Sequence, residues 1–203
     1  MRGFYQILSP DAHEYARFSR RGTWIPKHSI GTCGECGMTR QKRVPPLVIE
    51  WELDSDNIGD FTWGGFCWEL VSRREVAKEL ETRFSGFKCS PIEMIEGEDQ
   101  QYDGPKVLLP YEGPELCELW IESHISLDEA ASGVELEKVC KTCGFRFYKP
   151  KHTGLVLSKD VTVSSFFRLE QYPALLYCTT EVRDFVIRRG YSNISFRDVC
   201  CGD

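Results

Sequence analysis

The residues of this chain best suited to chemistry are four cysteines arranged as two CxxCG motifs. Cys33 and Cys36 form the first motif, and Cys140 and Cys143 form the second. Two cysteines three positions apart can place both thiolates on one metal ion, and the following glycine permits a turn with positive φ that points N–H groups at sulfur. Four thiolates complete the closed tetrahedral shell of a structural zinc site, which has no open position for water or substrate. The motifs therefore predict a structural zinc ion held by Cys33, Cys36, Cys140 and Cys143.

The two motifs are far apart for a single site. Zinc ribbons commonly separate their cysteine pairs by about 15–20 residues, whereas about 100 residues lie between Cys36 and Cys140. The longer loop costs only about 1.5 kcal/mol more to close, while structural zinc contributes on the order of 10 kcal/mol. One four-cysteine site is therefore the preferred prediction. The alternatives are separate metals supported by His28 or His152, one degenerate CxxCG turn (knuckle) that binds no metal, and an iron–sulfur cluster.

A constant sequence offset recurs along the chain. The offset from Cys33 to Cys140 is the same as that from Phe87 to Ile194, and Phe87 and Ile194 each open a short strand-like segment. Ser72 and Thr179 follow the second cysteine of their respective motifs at equal distance, and each precedes an amphipathic segment. A constant offset across knuckle, helix and strand predicts two related halves.

Each half is predicted to contain one capped helix. Ser72 and Glu75 have the spacing of a capping box, and Thr179 or Thr180 is expected to cap the second helix. Gly190 is expected to end that helix in the left-handed conformation. The predicted buried faces comprise Val76, Leu80 and Phe84 in the first helix and Val182, Phe185 and Val186 in the second.

The predicted fold class is α+β, with two related halves of short strands and one capped helix each, joined by the four-cysteine site. Residues 1–95 form the first half, the acidic Gly/Pro-containing stretch 96–105 forms a linker or loop, and residues 106–203 form the second half. The halves are either separate units or one compact pseudo-symmetric domain. Short strands are expected at 47–49 and 155–157, after each knuckle, and 128–133 is expected to be a turn-rich gap.

Composition narrows the class of protein. The 203 residues carry a formal net charge of −6, and this acidic balance argues against broad nucleic-acid binding. The N-terminal residues show no apolar signal region, and no apolar run reaches the length of a membrane span, so we expect a cytoplasmic protein without membrane association. Ten cysteines raise the alternative of a disulfide framework, but Cys67, Cys89, Cys117 and Cys178 lie among apolar neighbours and are expected to be buried free thiols.

Catalytic signatures are sparse. The four histidines are scattered and form no local pattern with cysteine or serine; they are His13, His28, His124 and His152. We therefore expect a protein that is not an enzyme. Trp63 is expected to pack in the core, with an exposed anchor for a partner as the alternative. Basic runs at 39–43 and 149–151 leave a nucleic-acid-binding or regulatory zinc-knuckle protein as the alternative function.

The order of these segments resembles the double-CxxCG motif family of myxobacterial immunity proteins. The resemblance rests on the paired motifs, on Phe61-Thr-Trp-Gly-Gly-Phe66 before Leu70-Val-Ser72, on Ser-Gly-Phe-Lys-Cys-Ser-Pro at 85–91, and on the closing segments Thr180-Glu-Val-Arg-Asp-Phe185 and Asn193-Ile-Ser-Phe-Arg197. The resemblance covers most of the chain, and the only site residues that it assigns are the four motif cysteines. It implies a small cytoplasmic protein that protects its producer by binding a cognate toxin, encoded by a neighbouring gene and delivered by kin cells.

Overall fold

The computed structural model describes residues 3–10, 14–20, 29–41, 46–53, 55–64, 69–96 and 104–201. These residues contain sixteen strands and three short helices, so the fold is mostly β and richer in sheet than the predicted α+β balance. The helices are α1 (Arg74–Glu81), α2 (Glu129–Ser132) and α3 (Thr180–Arg189). The strands, in chain order, are β1 (Phe4–Leu8), β2 (Arg17–Arg20), β3 (Ser29–Thr32), β4 (Thr39–Gln41), β5 (Leu47–Trp51), β6 (Phe61–Gly64), β7 (Leu70–Arg73), β8 (Phe87–Ser90), β9 (Ile92–Ile95), β10 (Leu116–Ile121), β11 (His124–Ile125), β12 (Leu136–Val139), β13 (Arg146–Tyr148), β14 (Phe166–Leu169), β15 (Leu176–Thr179) and β16 (Ser195–Asp198).

Two large sheets dominate the architecture and have a common strand order. The seven-stranded sheet runs β8-β10-β7-β6-β2-β5-β9, and the five-stranded sheet runs β16-β1-β15-β14-β11. In both, the first three pairings are antiparallel and the fourth is parallel. Five strands of the larger sheet therefore match the whole of the smaller one in order and direction.

The chain crosses between these sheets at two equivalent points. Strand β1 lies near the N-terminus but pairs with β15 and β16 of the C-terminal half. Strand β10 follows the predicted linker but pairs with β7 and β8 of the N-terminal half. Each sheet therefore contains one strand that belongs to the other predicted half of the chain. Residues 97–103 of the predicted linker lie outside the described residues, and the division into related halves stays a prediction.

The central hydrophobic cluster contains side chains from both sheets and from both longer helices. Phe61 and Leu119 of the larger sheet meet Phe166 and Leu176 of the smaller one. The predicted helix faces join this cluster: Val76, Leu80, Val182, Phe185 and Val186 are buried, and Phe84 packs against it just beyond the end of α1. Two further clusters lie on the other faces of the sheets.

The predicted side-chain caps at the N-termini of the helices are wrong, although the helices are present. Ser72 lies in β7 and its hydroxyl donates to the carbonyl of Arg73, while Arg73 occupies the position before α1 with no side-chain cap. Before α3, the Thr179 side chain makes no capping bond, and the Thr180 hydroxyl donates to the carbonyl of Gly3. Both helices continue directly from a strand, and the N–H of Arg74 at the start of α1 finds a backbone partner at Glu115 instead. Gly190 ends α3 with φ of 68°, as predicted.

The remaining local predictions divide between confirmed and wrong. Residues 47–49 lie in β5, but 155–157 form no strand; Leu157 makes one isolated bridge to Leu127. The gap at 128–133 contains the short helix α2, which Asp128 caps. Trp63 is fully buried and its indole N–H donates to the carbonyl of Asn193, so the exposed-anchor alternative is wrong.

The prediction of buried free thiols is confirmed for two of the described cysteines, and a third is free but only partly buried. Cys117 and Cys178 are buried free thiols and Cys89 is partly buried. Cys67, His13 and His28 lie outside the described residues. None of the described helices is long and apolar enough to cross a membrane.

Candidate metal centre

Two hairpins with the same backbone pattern carry the CxxCG motifs. Strands β3 and β4 form the first and β12 and β13 form the second, and each pairing contains one register shift at the corresponding position. In the first turn, the N–H of Gly37 donates to the carbonyl of Cys33 at 2.8 Å; in the second, Gly144 donates to Cys140 at 2.9 Å. The φ values of Gly37 and Gly144 are 70° and 71°. Both motifs therefore fold as predicted, with glycine in the left-handed conformation that L side chains disfavour.

The fold brings the two turns together. The Sγ atoms of Cys33 and Cys140 are 3.6 Å apart, and those of Cys36 and Cys143 are also 3.6 Å apart. All four sulfur atoms lie within 4.8 Å of one another. A tetrahedral ion with Zn–S bonds of about 2.3 Å needs sulfur atoms about 3.8 Å apart. The four predicted ligands thus have the number, chemistry and spacing to hold one metal ion.

Backbone N–H groups point at the sulfur atoms within each turn. Cys33 accepts from the N–H groups of Cys36 and Glu35, which lower the pKa of its thiol to about 6. At Cys140 the N–H of Cys143 acts in the same direction, but reduced solvation and the thiols of Cys143 and Cys36 outweigh it and raise the pKa of Cys140 to about 12. Adjacent thiolates repel one another, so a nearby cation favours full ionisation of the group. A bound metal ion would supply that positive charge.

A carboxylate also links the two turns directly. The Glu35 side chain accepts hydrogen bonds from the Thr142 hydroxyl at 2.6 Å and from the Thr142 N–H at 3.1 Å. These bonds, the hydroxyl first, hold the pKa of Glu35 below its usual range. Sequence reasoning missed this contact, although Glu35 and Thr142 occupy equivalent positions in the two motifs, each directly before the second cysteine.

The centre lies close to the surface. Cys140 is 1% exposed, while Cys33, Cys36 and Cys143 are half-buried, and the turn residues Gly34, Glu35 and Gly37 are exposed. The second hairpin is tied to the body of the protein, because the Tyr148 hydroxyl donates to Glu129 and the Tyr172 hydroxyl donates to the carbonyl of Lys149. The turn around Cys140 and Cys143 is exposed as well, so the centre lies between two exposed turns, the second of which belongs to an anchored hairpin.

Histidine does not join the site within the described part of the chain. The metal-ligating group there consists of the four cysteines alone, and His124 and His152 are exposed. The alternative of separate metals with help from His152 therefore has no support from the geometry. His28, the other histidine in that alternative, lies outside the described residues.

Comparison with known proteins adds no identity. A scan against protein-family models finds no match for this chain, and a search of curated proteins finds no similar protein.

Proposed function

We propose that this chain is an immunity protein that binds and neutralises a cognate bacterial toxin, with a structural zinc ion holding its two CxxCG turns together. The observation that carries the proposal is the convergence of both motifs of the resembled family on one closed four-thiolate set. A closed set has no coordination position for a substrate, which fits a binding protein better than an enzyme.

Zinc is the proposed metal because its coordination preference suits this donor set. Tetrahedral sulfur-only sites hold zinc or iron. Zinc has no redox role and serves in closed sites as a structural ion, which agrees with the position of the centre between two hairpin turns. When bound, it would complete the connection that the Glu35–Thr142 hydrogen bonds make without metal.

Two related halves remain part of the proposal. Support comes from the matching strand order of the two sheets, from the shared hairpin pattern at the cysteines, and from the constant sequence offset between the two motifs. In this view each half of the chain corresponds to one subunit of a dimer whose subunits exchange a strand. The metal lies where the hairpins of the two halves meet.

Neutralisation would occur by stoichiometric binding. A net charge of −6 favours association with a basic toxin through electrostatic complementarity. The nucleic-acid-binding alternative has weaker support, because the amine of Lys149 in the second basic run is paired with the carboxylate of Glu135.

The test combines rescue and binding. The product of the adjacent reading frame is expressed in cells with and without this chain, and the two purified proteins are titrated by calorimetry. We expect growth to be restored and a one-to-one complex to form. If the neighbour's product is not toxic, or if it is toxic and neither binds this protein nor is counteracted by it, the proposed function is wrong.

A further inference from the structure

The two large sheets end in equivalent edge strands that are protected differently. Strand β8 ends the larger sheet and β16 ends the smaller one, each beside the helix that precedes it in the chain. An unprotected edge presents a row of backbone groups to which another strand can add. The difference between these two edges therefore indicates where a second polypeptide can bind.

The β8 edge is closed by its own neighbours. The carboxylate of Glu81, the last residue of α1, accepts a hydrogen bond from the N–H of Cys89 at 3.2 Å. Lys88 forms an ion pair with Glu122 at 2.8 Å, and Pro91 follows the strand directly. A carboxylate on the free N–H, a charged side chain and a proline are devices that prevent strand addition.

The β16 edge has an apolar residue at the position of that carboxylate. Two of the three buried residues of each helix align, Val76 with Val182 and Leu80 with Val186, and in this alignment Glu81 corresponds to Ile187. Ile187 is 62% exposed. An isoleucine side chain cannot accept a hydrogen bond, so nothing at this position closes the strand edge.

The free N–H of this edge belongs to Phe196. Cys89 and Phe196 both turn their side chains toward the central cluster, and they lie opposite the corresponding residues Leu119 and Ile7. In an antiparallel strand, residues on one face direct their N–H groups to the same side. Since the N–H of Cys89 points away from β10 to Glu81, the N–H of Phe196 points away from β1 and toward an added strand.

A groove lies beside this edge. It has a volume of about 580 Å³ between α3 and β16, and its apolar lining consists of Tyr5, Val186, Ile187, Tyr191, Ile194 and Phe196. The guanidinium of Arg183 stacks on the Tyr5 ring at 4.1 Å from its centroid. The groove can therefore receive an apolar side chain from a segment that adds to β16.

The charge beside the groove favours an acidic residue next to the apolar one. Arg197 follows Phe196, so its side chain lies on the opposite face of the sheet from the groove; it is exposed and has no carboxylate partner among the described residues. The groove lining itself contains one cation and one anion, Arg183 and Asp198. A carboxylate of an added strand opposite Arg197 forms a cross-strand pair of opposite charges.

We infer that the β16 edge and the α3 groove bind an extended segment of the toxin that carries an apolar side chain next to a carboxylate. This inference rests on the proposed function. The backbone of the segment pairs with β16 through the N–H of Phe196, its apolar side chain enters the groove, and its carboxylate meets Arg197 on the other face of the sheet.

The test uses Ile187→Glu, which places in α3 the carboxylate that closes the other edge. Leu108→Glu is the matched control, because Leu108 is 71% exposed and does not line the groove. With the purified product of the adjacent reading frame, we expect Ile187→Glu to weaken binding by about tenfold or more and Leu108→Glu to change it by less than about twofold. Because Ile187 is exposed, we expect both variants to melt near the wild-type temperature.

A second measurement is independent of any variant. Hydrogen exchange at the Phe196 amide should slow in the complex, because strand addition places a carbonyl on that N–H. Unchanged affinity of Ile187→Glu, or an unprotected Phe196 amide in the complex, would overturn the inference and leave the proposed function in place. If the wild-type protein does not bind the neighbour's product at all, both fail. If the wild-type chain dimerises alone and Ile187→Glu makes it monomeric, a second copy occupies the edge and the assignment to the toxin is wrong.

Discussion

The two large sheets have the same strand order, but they differ at their edge strands β8 and β16, where a partner could bind. Both have the same order and direction over five strands, and both take one strand from across the predicted boundary. At their edges, however, Glu81 covers the N–H of Cys89, whereas Ile187 leaves that of Phe196 open. The shared part supports the proposal of two related halves, and the difference identifies a surface that the fold itself does not require.

The largest effect should come from separating the two halves. Fragments 1–105 and 106–203 each lack the strand that lies second in their sheet, β10 and β1 respectively, so β8 and β16 lose the neighbour that joins them to the sheet. We expect neither fragment to show a cooperative melting transition, and an equimolar mixture to recover one. Circular dichroism and calorimetry on the fragments and on the mixture measure this. A cooperative transition in either fragment alone would show that strand exchange is dispensable.

Loss of a thiolate should have the next largest effect. We expect one zinc per wild-type chain by elemental analysis, and none in Cys33→Ser or Cys140→Ser, with Tm lowered in each by about 10 °C or more because metal binding contributes to folding. Cys201→Ser is the control, since Cys201 is exposed and lies outside the site. Retained zinc with an unchanged Tm in either ligand variant would contradict a shared structural site.

A smaller effect is expected at the positive-φ residues that follow each long helix. Gly86 after α1 has φ of 98°, and Asn193 after α3 has φ of 57°. A Cβ at Gly86 would lie 2.0 Å from the carbonyl oxygen of Phe166, so the backbone must move to admit it. We expect Gly86→Ala to cost about 2–4 kcal/mol of unfolding free energy, measured by urea denaturation.

Gly104→Ala is the control for this substitution, because nothing lies within 4 Å of a Cβ at Gly104. We expect it to change the unfolding free energy by less than about 0.5 kcal/mol. Equal effects of the two substitutions would mean that the contact between the Gly86 turn and β14 is not important for stability.

The smallest effect concerns the contact between the two helices. Glu79 of α1 accepts hydrogen bonds from Arg189 at the end of α3 and from the Tyr191 hydroxyl, and these hold the pKa of Glu79 below its usual range, with Arg189 the larger cause. A carboxyl group whose pKa is lower in the folded state stabilises the protein above its unfolded pKa, and this stabilisation is lost as the pH falls through the folded value. We expect Glu79→Gln to lower Tm slightly at neutral pH and the difference from wild type to vanish in acid.

Thermal melts of both proteins across pH 2 to 7 would measure this difference. Glu112→Gln removes the same charge from an exposed position and should show little pH-dependent difference. A Tm difference for Glu79→Gln that is the same at every pH would mean that the ion pair with Arg189 is not its source.

Local patterns predicted the metal ligands and the helix faces but not the helix starts. The CxxCG turns depend on short-range geometry, since glycine at Gly37 and Gly144 permits the positive φ that each turn requires. The spacing of Val76 and Leu80 likewise reports one helix face. Ser72 has the residue type of a cap, but β7 continues to Arg73 and places Ser72 inside the strand. Strand pairing with β6 and β10 outweighs that local preference.

The sequence by itself determined which residues can bind a metal ion, where the two main helices form, and that the motifs recur at a constant offset. These properties follow from residue type and from spacings along the chain, so they are readable without the fold. Only the tertiary structure decided that β1 and β10 exchange sheets, that the turns around Cys33 and Cys140 meet, and that one sheet edge is closed while the other is open. Those outcomes depend on contacts between residues about 100 positions apart, and no local pattern specifies which distant strand a given strand will join.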